Sequence, residues 1–190
     1  MRTHLPDELL ADRAAAGHLE EFEELVRRYR RQVYRVCYRM AGNGEDAEDW
    51  AQECFIRVYR QLSAYNPRLP FRPWLLRVVS NACLNLAKSR TLHRSRLEWD
   101  AAPEHDPPAP HSDPAQLLMA GEEQRRVTAA MESLPPILRQ AVVLRVQEEL
   151  SFRELAETLG VPLQTAAARV RRALLQVRAQ LGCASVEVDP

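Results

Sequence analysis

The sequence predicts an all-α protein made of two small helical domains joined by an extended linker, and three observations lead there. Only six glycines and 6% aromatic residues stand against abundant Leu, Ala, Arg and Glu, a balance that favours helix. No alternating apolar and polar run bounded by turn residues is long enough to argue a sheet. Between Arg96 and Pro114 the composition changes sharply to five prolines and five acids without apolar periodicity. Proline stiffens such a segment and its like charges repel, so it should span distance between two domains and not fold as a third. At 190 residues and 46% hydrophobic, the chain has enough apolar material for packed cores on either side. The expected units are residues 1–95, a linker at 96–115, residues 116–182 and a tail at 183–190.

The first strong helix is predicted over Leu19 to Met40, where Phe22, Leu25, Val26, Tyr29, Val33, Val36, Cys37 and Met40 form one apolar stripe. Gly42-Asn43-Gly44 ends it. Glu45, Asp46, Glu48 and Asp49 then suit the positive end of a second helix that turns Ala47, Ala51, Cys54, Phe55, Val58 and Leu62 inward. Its outward face carries Asp49, Gln52, Glu53, Ile56 and Arg60. Asn66-Pro67 and Pro70 mark a loop over Ser63 to Pro70. A third helix follows from about Phe71 to Ser89, with Trp74, Leu75, Val78, Val79, Ala82, Cys83 and Leu86 toward the core. Arg77, Asn81, Asn85 and Lys88 line its outside. Trp50 and Trp74 lie on or beside core stripes, and packing is the expected use of their large rings.

Beyond the linker, Leu117 to Met131 and Ile137 to about Gln147 read as helices separated by Ser133-Leu134-Pro135-Pro136. Ser151 and Glu154 stand at capping-box spacing and start another helix at Phe152. Phe152, Leu155, Ala156 and Leu159 recur at helical spacing, and Gly160 can end the helix in the left-handed conformation. Val161-Pro162 opens a last helix with Ala166, Val170, Ala173, Leu174, Val177 and Leu181 as its buried stripe. The other face presents Gln164, Thr165, Ala168, Arg169, Arg171 and Arg172, and no acid lies between Gly160 and Gly182. Across the chain 26 basic and 26 acidic side chains cancel, so the neutral total conceals a basic pole. A basic second helix after a tight turn suits helix-turn-helix docking in a DNA major groove, where arginine binds phosphate or guanine. Two packed helices with arginines in solvent also occur in ordinary bundles.

Other chemistry is poorly supplied. Cys37, Cys54 and Cys83 fall on apolar helical faces, Cys183 falls in the tail, and none has CxxC or CxxH spacing. Their expected role is core packing. His4, His18, His93, His105 and His111 are scattered, so no metal site and no cofactor is expected. The N-terminal MRTHLPDELLADR has charges where a signal peptide needs an apolar run, and no stretch approaches a membrane span. A cytoplasmic protein without membrane insertion is the expectation.

Taken in order, DAEDWAQECFIRVYRQL, FRPWLLRVVSNACLNLAKSR, the Pro/acid-rich linker, LPPILRQAVVLR and LSFRELAETLGVPLQTAAARVRRAL closely resemble the extracytoplasmic-function sigma factors, the small two-domain subfamily of bacterial RNA polymerase sigma factors. The resemblance runs from about Leu19 to Leu181. It implies a region 2 helical bundle and a region 4 helix-turn-helix in a dissociable, non-catalytic subunit that directs core RNA polymerase to a promoter. It places Asp49, Gln52, Glu53, Ile56 and Arg60 on the polymerase β′ clamp, and the C-terminal domain with the β subunit and the −35 element. A merely solvated face would account for those charges but has no use for an exposed Ile56. Tyr65, Asn66 and Arg68 would capture a flipped base of the −10 element, using stacking and hydrogen bonds to its freed edge. Arg77, Asn81, Asn85 and Lys88 would track the opened strand, with Arg90, Arg94 and Arg96 extending the basic run.

The family's usual Gly-Thr-Val-Lys-Ser-Arg at the recognition helix is Gln164-Thr165-Ala166-Ala167-Ala168-Arg169 here, which removes one phosphate contact and one hydroxyl. That leaves Gln164, Thr165, Arg169, Arg171 and Arg172, with Ala168 beside them, to hold the −35 element. The linker either follows polymerase channels by mimicking nucleic-acid charge or serves as a plain tether. Sigma factors of this group are often held by an anti-sigma protein, which no residue pattern here reveals. A stand-alone helix-turn-helix regulator that binds duplex operators without polymerase is the competing reading. An enzyme built on Asp46, Glu48 and Asp49 lacks an accompanying histidine or glycine-rich loop.

Overall fold

The computed structural model describes residues 5–97 and 118–182, with side chains for 5–90 and 125–182. Residues 98–115 of the expected linker, Trp99 among them, therefore lie outside the described residues, as does Cys183. Eight α-helices occur among the described residues: α1 (Asp7–Ala15), α2 (Leu19–Ala41), α3 (Gly44–Gln61), α4 (Phe71–Leu97), α5 (Leu118–Glu132), α6 (Pro136–Val142), α7 (Phe152–Leu159) and α8 (Leu163–Leu181). No strand occurs among them.

Local chemistry sets the joints. α2 ends at Gly42, whose φ of 91° lets its N–H reach Tyr38 O at 2.9 Å. One residue later the Asn43 side chain accepts from Asp46 N at 2.9 Å and caps α3. The stripe of α2 meets that of α3 and one face of α4, burying Val33, Val36, Cys37, Met40, Ala47, Cys54, Val58, Val79 and Cys83. Trp50 is buried beside them, and Trp74 is half-buried in a cluster with Phe71 and Tyr65, at ring separations of 5.6 and 5.1 Å. α1 adds Leu10, Ala11 and Ala14 to this core. That helix was not expected.

In the C-terminal half, Ser151 and Glu154 form the capping box and Gly160, at φ 64°, ends α7. α6 runs into a π-helical turn over Val143–Gln147, where Glu148 N–H reaches back five residues to Val143 O at 3.2 Å. Val143, Leu144, Leu150, Leu155, Ala156, Ala166 and Val170 join the same core as the N-terminal helices, while Leu134, Leu138, Val142 and Ala173 make a smaller cluster.

Several expectations need correction. The two halves pack face to face across α4, where spaced-apart domains were expected, because α4 carries a second apolar row. Leu76 and Ala87, about three turns apart and outside the expected stripe, are both buried, and α6 and α7 lie against this helix. α4 also continues past Ser89 to Leu97. On α8, Ala173 takes the inward position and Leu174, one residue round the helix, is exposed. Phe152 is exposed too, its ring beneath the Arg145 guanidinium at 4.9 Å.

Candidate nucleic-acid and polymerase surfaces

On α3, residues four apart share a face, and Asp49, Gln52, Ile56 and Arg60 are all exposed there. Glu53 sits beside them, accepting from Arg57 Nε at 2.8 Å. Ile56 is 46% exposed, an apolar contact point in a polar surround. Gln52 also lines a groove with Arg30, Arg31, Tyr34 and Phe55 on the α2 side, a neighbourhood that the α3 pattern did not reveal.

The loop after α3 begins with a 3-10 turn, Leu62–Ala64. Asn66 folds it locally: its Oδ1 accepts from Arg68 N at 3.1 Å and its carbonyl from Leu69 N at 3.0 Å. Asn66 and Arg68 are exposed. Tyr65 is not, contrary to the expectation of an aromatic available for base stacking. It is 8% exposed, its ring packs edge-on to Phe71 at 5.5 Å, and its hydroxyl donates to Leu69 O. Burial, then the nearby carboxylates of Glu8 and Asp7, pushes that hydroxyl up to about 12. In this conformation Tyr65 props the loop from below.

Arg77, Asn81 and Asn85 occur one turn apart on α4 and line one groove with Arg57, Gln61 and Trp74. Arg57 and Gln61 belong to α3 and were missed, since only the pairing of α3 with α4 brings them there. Lys88 is exposed on α4. Asn81 is not open to solvent on every side, because Gln140 Nε2 of α6 approaches its Oδ1 at 3.3 Å. Arg90 departs from the expected basic run: it donates to Ala41 O at 2.9 Å and pairs with Asp46 at 2.6 Å, tying the α2–α3 joint. The side chains of Arg94 and Arg96 lie outside the described residues.

On α8 the first three turns present Gln164, Ala168, Arg171 and Arg172 to solvent, with Thr165 and Arg169 partly covered. No ion pair engages Arg169, Arg171 or Arg172 among the described residues, so this face keeps its positive field.

Two buried charges on the α6 side also went unforeseen. Glu148, with a side chain 1% exposed, pairs with Arg72 of α4 at 3.2 Å and with Arg35 of α2 at 3.9 Å, and accepts from Gln32. Arg139 is buried and donates to Met40 O at 2.8 Å and Leu134 O at 3.3 Å. Burial lowers its pKa. A signal for Glu148 existed, since acids at a helix C-terminus oppose the dipole unless paired elsewhere.

The sequence matches two family models in this order, Sigma-70 region 2 over residues 25–92 and Sigma-70, region 4 over residues 124–177. It is 32% identical over 178 residues to the ECF RNA polymerase sigma-E factor of Escherichia coli, covering 91% of this chain and 93% of that one. The chain belongs to the extracytoplasmic-function sigma factors of the sigma-70 family. It is also 39% identical over 171 residues to the ECF RNA polymerase sigma factor SigE of Mycolicibacterium smegmatis, matching 89% of this chain and 65% of that longer relative. Among solved structures, this sigma factor shares its fold with CnrH in complex with the cytosolic domain of CnrY, at a TM-score of 0.66 and 24% identity over 94% of this chain and 99% of that one. It does so equally with the sigma factor RpoE of Bartonella quintana, solved with the anti-sigma factor NepR, at 0.66 and 16% identity over 87% and 99%. The region 2 match spans most of α2 to α4 and the region 4 match ends within α8. No helix among the described residues is long and apolar enough to cross a membrane.

Proposed function

We propose that this sigma factor is a dissociable, non-catalytic subunit that acts in the cytoplasm and directs core RNA polymerase to promoters carrying −10 and −35 elements. Residues 1–95 form the region 2 domain, 96–115 the linker and 116–182 the region 4 domain. Asp49, Gln52, Glu53, Ile56 and Arg60 meet the polymerase β′ clamp, and the exposure of Ile56 in a polar helix face carries this reading. Asn66, Arg68, Arg77, Asn81, Asn85 and Lys88 receive the opened −10 strand, joined by Arg57 and Gln61 from the same groove. Tyr65 takes part only if it leaves its aromatic cluster. Gln164, Thr165, Ala168, Arg169, Arg171 and Arg172 face the −35 duplex, and region 4 also meets the β subunit.

An anti-sigma protein is the further partner, a reading supported by the RpoE–NepR complex, whose sigma factor shares this fold. The packed arrangement of the two halves is then the form that the factor takes off the polymerase, with Gln140 on Asn81 and Glu148 on Arg72. Purified core polymerase with this protein should start transcription at defined sites on genomic fragments, and Ile56→Asp should abolish it while the protein still binds −35 duplex. Transcription no higher than with core alone defeats the proposal. Duplex binding with no effect on polymerase is the signature of a stand-alone regulator.

A further inference from the structure

Three cysteines far apart in sequence meet in the region 2 core, one from each of α2, α3 and α4. The sulfurs of Cys37 and Cys83 are 3.6 Å apart, and Cys54 lies 3.9 Å from both. All three residues are 0% exposed. A point equidistant from three sulfurs so spaced lies about 2.2 Å from each, close to the length of a metal–thiolate bond, about 2.3 Å for zinc. Ordinary core packing asks only that sulfur fill volume and does not require three sulfurs to form a nearly equilateral triangle of this size.

The surroundings narrow the ion. No histidine or carboxylate joins the group among the described residues, and the backbone acceptor Val79 O stands off at 3.8 Å from Cys54 Sγ. Structural zinc takes four ligands in a tetrahedron, and this site offers three. Net charge narrows it further, since an unpaired charge in an apolar core costs several kcal/mol. Three thiolates around a monovalent or divalent ion leave the site negative, and Arg57, the cation that acts on Cys54 among the described residues, is already paired with Glu53 at 2.8 Å. Three thiolates around a trivalent ion sum to zero.

We propose that Cys37, Cys54 and Cys83 form a three-sulfur site for a thiophilic trivalent ion, trivalent arsenic being the type. Arsenous acid enters uncharged. Three As–S bonds form as three As–O bonds break, the three thiol protons leave with the three hydroxyls as water, and arsenic remains trivalent, so no oxidant or reductant is needed. The product is neutral and has no fourth position to fill. It would tie α2, which carries Arg35 and Gln32 of the contact with Glu148, to α3 and α4, which carry the proposed polymerase and −10 surfaces.

The test uses the full-length protein, reduced with a phosphine, and sodium arsenite, copper(I) or zinc(II), each added both to the folded chain and during refolding. Native mass spectrometry should show one arsenic atom gained and three protons lost. X-ray absorption of the wild-type adduct should show three sulfur neighbours and no oxygen, which needs no variant to fold. Arsenite should raise the melting temperature of the wild type and of Cys183→Ala, but not of Cys54→Ala. The proposal is overturned by an unchanged mass under both loading conditions, by oxygen neighbours at arsenic or by loss of the adduct in Cys183→Ala. Stoichiometric uptake of copper or zinc in place of arsenic overturns the charge argument and with it the proposal.

Discussion

Removing Arg72 should loosen the two halves of the molecule more than removing Glu148, although the two residues form one ion pair. Glu148 is the buried member, with a side chain 1% exposed, whereas those of Arg72 and Arg35 are 43% and 59% exposed. At 3.2 Å and an effective dielectric of about 20, the attraction between Arg72 and Glu148 is about 5 kcal/mol. Desolvation of the carboxylate takes back several kcal/mol of that, so the intact pair contributes little net stability. In Arg72→Ala the carboxylate stays buried with only Arg35 at 3.9 Å and the Gln32 amide for support. Discounting for the water that already reaches Arg72, the cost is about 2 kcal/mol, or about thirtyfold in the ratio of closed to open forms. In Glu148→Ala the Arg72 guanidinium keeps its bond to the carbonyl of residue 148 at 2.9 Å and both arginines regain water, so the cost should stay below that of Arg72→Ala. Energy transfer between one dye on each half, followed through a urea titration, reads the closed fraction directly. Equal midpoints for the two variants, or an earlier midpoint for Glu148→Ala, would refute the assignment of Glu148 as the buried charge that the arginines serve.

Three further outcomes follow from single side chains. Arg139→Leu leaves Met40 O and Leu134 O without their donor in a buried place, at about 1–3 kcal/mol per orphaned group, so the urea midpoint of global unfolding should fall sharply and Arg139→Lys should recover only part of it. Arg171→Ala should reduce the salt slope of −35 duplex binding by about one charge; an unchanged slope means that Arg171 touches no phosphate. The Tyr65 hydroxyl, raised by burial to about 12, holds its proton more tightly folded than unfolded. Its contribution to stability is thus complete below the ordinary tyrosine range of about 10 and lost as pH climbs from there toward 12. Tyr65→Phe should flatten that decline in melting temperature, and an unchanged decline would mean that Tyr65 is solvated.

What the sequence made legible was what periodicity and caps encode. The stripe of α2, the capping box at Ser151 and the left-handed Gly160 all depend on residues within a few positions of one another. α1 is not legible in the sequence because its apolar set is short, and Leu10, Ala11 and Ala14 gain meaning only against the helices they cover. Tyr65 illustrates a different limit. An aromatic in a turn-rich loop is equally suited to a base or to a core, and only the arrival of Phe71 and Trp74 beside it decides the matter. Leu76 and Ala87 are present in the sequence as apolar residues off the main stripe of α4. A second row on a helix is the mark of two neighbours, and here it accounts for the joining of the two halves.

The closed arrangement bears unequally on the two proposed DNA surfaces. On α8, Gln164, Ala168, Arg171 and Arg172 remain exposed while the halves are packed. On α4, Asn81 is engaged by Gln140, whose own side chain is buried. A buried amide that loses its partner pays a desolvation cost unless water replaces that partner, so Asn81 and Gln140 are released together when α6 moves away from α4. If α4 receives the opened strand, single-strand affinity should therefore rise when the halves part, whereas −35 duplex affinity should change little. Arg72→Ala supplies the comparison, because it shifts the closed fraction from a position that lies outside both proposed DNA-reading sets. Its binding to a −10 non-template oligonucleotide should strengthen relative to wild type while its −35 binding stays level. An equal gain at both sites would mean that the packing of the halves restrains α8 as much as α4, and that the exposed arginines of α8 are not yet positioned for a duplex.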